Sequence, residues 1–192
     1  MRIEIRFAAL AVCTASLFTG CSHTKCVTFD STPVGTNFGL ATGYGEGAAA
    51  LTEDGIPVSV HDMGGDPNKH AEVLLENVDF GRENIIRPRN MNLEFDFTQL
   101  DFTPCKVTFK FLDWGGREYI SVNSEAAHIG ELTLAPTSWP GGISMTVTST
   151  RTPRNPHNKT GKAVIEGPVQ KLRVGGQEFF VDDVCAKNCG GL

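Results

Sequence analysis

The segment Leu93-Glu94-Phe95-Asp96-Phe97-Thr98 places apolar and polar residues on strictly alternating positions. Successive side chains leave a β-strand on opposite faces, so a period of two marks a strand with one face buried. Lys106-Val107-Thr108-Phe109-Lys110-Phe111 repeats the pattern, and shorter runs recur at Val27 to Phe29, Pro57 to His61, Tyr119 to Asn123, Glu131 to Leu134, Ile143 to Thr148, Ala163 to Glu166, Gln170 to Val174 and Glu178 to Cys185. Between them fall most of the 21 glycines and 10 prolines, which break helices and make turns. Roughly eight to ten short strands with no helices between them predict an all-β chain, folded as a single β-sandwich of jelly-roll type. The one helical candidate is Lys69 to Glu76, and Arg151 to Lys159, with Pro153 and Pro156, reads as an exposed loop.

The first residues read as an address. Arg2 and Arg6 precede an uncharged, mostly apolar run from Phe7 to Phe18, the layout of a secretory signal peptide. As a helix this run spans roughly 18 Å, short of the ~30 Å hydrocarbon core of a bilayer. Leu17-Phe18-Thr19-Gly20-Cys21 resembles the bacterial lipobox, with Phe18 where an aliphatic residue is usual and Glu4 diluting the basic start. The resemblance implies cleavage after residue 20, lipidation of Cys21, a tether over residues 21–25 and a domain over 26–192. Ser22 after the cysteine implies outer-membrane sorting. The alternative is ordinary cleavage near Gly20, with Cys21 kept for a disulfide. Loss of Arg2, Arg6 and Glu4 takes the formal charge from −5 to −6, the wrong sign for a nonspecific nucleic-acid binder.

Outside the cytosol the remaining cysteines can pair. Cys13 leaves with the signal and Cys21 is taken by lipid, so Cys26, Cys105, Cys185 and Cys189 remain, with three possible connectivities. A zinc site is the alternative, but only Cys185 and Cys189 are close, and their spacing is unlike C-x2-C. If the first strand pairs antiparallel with the last so that Cys26 faces Cys185, then Thr28 faces Asp183 and Asp30 faces Val181. Val27, Phe29, Phe180 and Val184 then share the opposite, core side. That register joins Cys26 to Cys185 and leaves Cys105 for Cys189. It also brings Asp30 and Asp183 to about 7 to 8 Å between Cα atoms, where one hard cation such as calcium would suit both.

A first strand reading "CVTFD" and a last strand reading "GGQEFFVDDVC" resemble those of the β-jelly-roll carbohydrate-binding modules and their galactose-binding-like relatives, and are similar to uncharacterised secreted bacterial domains ending in "GGQE…DDVC". The resemblance implies a structural calcium at Asp30 and Asp183, with Asp182 as substitute. It also implies a non-catalytic glycan-binding role.

For a sugar face the sequence offers Trp114 and Trp139, each ahead of paired glycines, then Tyr119 and, more weakly, Tyr44. A ring on a loop supplies a broad apolar surface, whereas a ring that packs over its own turn does not. Glu94 and Asp96 share a strand face about 6.6 Å apart, a separation two glycosidase carboxylates could use. Alternation alone puts polar residues there. No H-E-x-x-H, G-x-S-x-G or phosphate-binding glycine motif occurs, so catalysis has no signature. The loop from His61 to Asn68 holds enough oxygen ligands for a second cation, without EF-hand spacing. The competing expectation is a structural or assembly lipoprotein that contacts a cell-envelope protein through the sandwich surface.

Overall fold

The computed structural model describes residues 23–39, 42–63, 69–76, 83–152, 155 and 157–190. The strands are β1 (Thr24–Val27), β2 (Asn37–Phe38), β3 (Ala49–Glu53), β4 (Ile56–Asp62), β5 (His70–Glu76), β6 (Glu83–Arg89), β7 (Met91–Asp96), β8 (Lys106–Asp113), β9 (Glu118–Val122), β10 (His128–Ile129), β11 (Ser138–Trp139), β12 (Ile143–Arg151), β13 (Lys159–Glu166), β14 (Lys171–Gly176) and β15 (Phe179–Lys187). They form two antiparallel sheets. One runs β11-β12-β13-β8-β15-β6-β5-β2 with β1 added against β15, and the other runs β10-β9-β14-β7-β4-β3.

The alternation in sequence becomes the interior of the sandwich. Val107, Phe109 and Phe111 of β8, Val58 and Val60 of β4, Leu93 and Phe95 of β7, and Leu172 and Val174 of β14 all enter one core. Each such large side chain contributes about 1.5 to 3 kcal/mol by leaving water. Phe111 lies parallel to Phe179 at 5.6 Å between ring centroids. Both disulfides form as expected, Cys26 to Cys185 and Cys105 to Cys189, with Cα atoms 4.1 and 5.9 Å apart.

Four local expectations need correction. Among the described residues fifteen strands replace the eight to ten expected, because two-residue ladders such as β2, β10 and β11 carry too little pattern to be read. Residues His70–Glu76 are strand β5: its helix-forming composition yields to an alternation in which Ala71 and Val73 are buried. Glu131 to Leu134 contains the 3-10 turn Leu132–Leu134 instead of a strand.

The fourth concerns parity. Cys26 does face Cys185 and Val27 faces Val184, but the ladder stops there. Beyond it Glu53 accepts hydrogen bonds from the Thr28 hydroxyl and the Phe29 N–H, and Phe29 turns to φ 61°. On β15 an irregularity between Asp182 and Cys185, with Asp183 at φ 48°, flips the alternation. Val181 and Val184 are therefore both in the main core, and Phe180 packs on the outer face with Ile85 and Leu112. A bulge inserts one unpaired residue, and a single insertion exchanges the two faces.

Candidate functional site

The bulge gathers charge. Carboxylate oxygens of Glu83, Asp182 and Asp183 lie within 4.8 Å of one another. Lys110, opposite Asp182 on β8, reaches Asp183 Oδ2 at 2.7 Å and Glu83 Oε2 at 3.1 Å. Burial, joined by the Asp183 charge, pushes the Asp182 carboxyl up to about 8. Lys110 is held above its usual range because its two carboxylate partners outweigh its own desolvation. Asp30 stands beside this group, its Oδ1 accepting from the N–H of Asn84, the residue after Glu83. Glu83 has no signature in sequence, being brought in by β6 from a hundred residues away. Oxygen atoms this close fit a calcium shell of 2.3 to 2.6 Å radius, but the Lys110 ammonium neutralises part of the same charge.

The outward face of the six-stranded sheet is the other polar concentration. Cross-strand pairing aligns Ser59, Glu94, Arg173 and Ser121 in one row, and His61, Asn92, Gly175 and Tyr119 in the next. Arg173 donates to Glu94 Oε2 through Nε and Nη2 at 3.1 and 2.6 Å, and Lys171 donates to Oε1 at 2.9 Å. Burial raises the Glu94 pKa, yet these bonds and charges outweigh it and hold the carboxylate below its usual range. His61 Nε2 lies 3.1 Å from Ser59 Oγ, and its Nδ1 lies 2.7 Å from Glu46 Oε1.

Two hollows with a common wall lie on this face, and a third adjoins them at the turns that join the two sheets. The first, about 130 Å³, has Glu94, Tyr119, Lys171 and Arg173 in its lining. The second, about 270 Å³, shares Tyr119 and Arg173 with it and adds Asn92, Arg117, Asn90 and Gln177. The third, about 310 Å³, shares Asn90 and Gln177 with the second and adds Arg89 and Gly116. Asn92 is 2% exposed and its Oδ1 has no hydrogen-bond partner. Gly175 clears the space for it, since a Cβ there would run into the Met91 carbonyl and the Asn92 side chain. A hollow of about 330 Å³ along residues 97–104 has, among the described residues, only Asp101 as an ionisable group.

The aromatic candidates separate. Tyr119 stands in the groove, at the wall shared by the first two hollows. Trp114 is 39% exposed and packs edge-on against Phe180, at the tip of the turn that also delivers Gly116 and Arg117. Trp139 is 7% exposed within the core, a packing residue and not a platform. Tyr44 packs edge-on against Phe38. Glu94 is engaged by two cations, and Asp96 accepts from the N–H and hydroxyl of Thr98. Glu118, facing inward at 3% exposure, is pushed up to about 8 by burial and then by Asp113. Cys21 and residues 64–68 of the second cation loop lie outside the described residues. Searches of protein-family models, curated proteins and solved structures return no match to this chain.

Proposed function

We propose that this chain is a lipid-anchored, non-catalytic binding module of the cell envelope, held at the outer membrane through Cys21, which takes a carbohydrate in the groove on its six-stranded sheet. The observation that carries the reading is the row of hollows with common walls. A glycan is a chain of similar units, and three adjoining hollows suit it better than one closed pocket suits it. Tyr119 supplies an apolar ring with a polar tip. The fixed Glu94, Lys171 and Arg173 cluster offers donors whose geometry is set before a ligand arrives. Trp114, the other exposed ring, packs against Phe180 on the outer face of the nine-stranded sheet and so stands outside the groove. A calcium ion at Glu83, Asp182 and Asp183 belongs to the scaffold in this reading, and it shares that position with Lys110.

Retention on a panel of soluble polysaccharides in native affinity gels tests the proposal. Tyr119→Ala should abolish retention and Trp114→Ala, on the face of the other sheet, should leave it intact, both at unchanged melting temperature. Retention indifferent to Tyr119→Ala would contradict the assignment. A protein partner is the second reading, favoured by Ile129, 55% exposed in the lining of the same groove, and by Leu134, 73% exposed five residues on. In that case crosslinking in cells recovers one dominant envelope protein, and Leu134→Ser removes it.

A further inference from the structure

The groove has a sign. Among the described residues Asp62 is the one carboxylate lining the central hollow, and it is already engaged by Lys69. Arg173 on the same wall is committed to Glu94. Arg117 is different: it is exposed, and among the described residues no carboxylate pairs with it. Glu118, the next residue, points the other way, into the sandwich. In the adjoining hollow Arg89 shares the lining with Glu178, so the excess of positive charge belongs to the central hollow. In a chain whose formal charge is −5, a hollow with an uncommitted guanidinium is a local reversal of sign. The orphan acceptor of Asn92 in the same lining calls for a donor, which a hydroxyl supplies.

Resting on the glycan-binding reading, we infer that the central hollow takes an anionic sugar unit, whose carboxylate or sulfate is held by Arg117 while a hydroxyl reaches toward Asn92. The guanidinium is a planar fork of donors, which matches a carboxylate by two parallel bonds and also accepts a sulfate ester. The anchored protein therefore discriminates acidic from neutral polysaccharides.

Titration of the full mature protein in detergent, at low and moderate salt, with polygalacturonate, a sulfated galactan and neutral dextran tests this. The acidic polymers should bind about tenfold or more tightly than dextran, as one charge-assisted hydrogen bond allows. That preference should shrink with salt as exposed charges are screened. Arg117→Gln should erase it, Arg117→Lys should keep part of it, and Lys162→Gln on the other sheet should leave it unchanged. A preference for polygalacturonate alone assigns a carboxylate, and one for the galactan alone assigns a sulfate. Equal binding of acidic and neutral polymers overturns the inference and leaves the glycan reading standing. Binding of none, with the melting temperature intact, overturns both.

Discussion

Glu118 and Asp182 are carboxylic acids kept protonated near neutrality, 3% and 1% exposed beside Asp113 and Asp183. Both titrate near 8 in the folded protein, against ordinary values of 4.5 and 3.8. The folded state therefore keeps protons that the unfolded chain releases, so their contribution is complete below about pH 4 and declines as pH rises to about 8. Glu94 and Glu131 act in the opposite sense: cations hold their pKa values down, so their contribution disappears in acid. A melting temperature higher at pH 5 than at pH 8 is expected, by a few kcal/mol in the underlying stability. Glu118→Gln should flatten the decline, and a flat wild-type profile would contradict the burial argument. A calcium ion held by these carboxylates would compete with the proton on Asp182, so on the proposed reading calcium should raise the melting temperature more at pH 8 than at pH 5. Lys110→Met should enlarge the calcium response. No response in metal-free protein, wild type or variant, would leave these carboxylates to Lys110 alone.

Among the strands, legibility followed amphipathicity. β7, β8 and β14 were readable because one face is core and the other water, whereas β5 hid its alternation behind helix-forming Glu and Leu residues. The cysteine register was readable because β1 and β15 must pair for two cysteines to meet. The bulge that follows was not, since one residue at φ 48° leaves no mark in composition, and it alone moved Phe180 to the outer face. Tyr119 was named from its type, while Asn92, Arg117 and Gly175 were missed because only cross-strand pairing brings them together. Cys185→Ser opens a link between residues 159 apart and should cost about 5 kcal/mol on the chain-entropy account. Peptide mapping without reduction should recover Cys26 with Cys185, and recovery of Cys185 with Cys189 would refute that pairing. Gly175→Ala should lower stability and glycan binding together, because it pushes β7 away from β14.

At the scale of the whole molecule, a short segment separates Cys21 from the disulfide at Cys26, so a lipid on Cys21 would hold the sandwich within about 18 Å of the bilayer. Labelled fatty acid should enter the wild-type protein and not Cys21→Ser, and a wild-type protein found free and unlabelled would remove the anchor. What such an anchored body does depends on the groove, whose location can be observed without knowing the ligand's atoms. Hydrogen exchange of the mature protein, with and without a polysaccharide that it retains, reads this directly. The account predicts slowed exchange over residues 116–122 and 171–177, together with the neighbouring amides of β7. Protection confined to residues 129–134, or to the nine-stranded sheet, would contradict it.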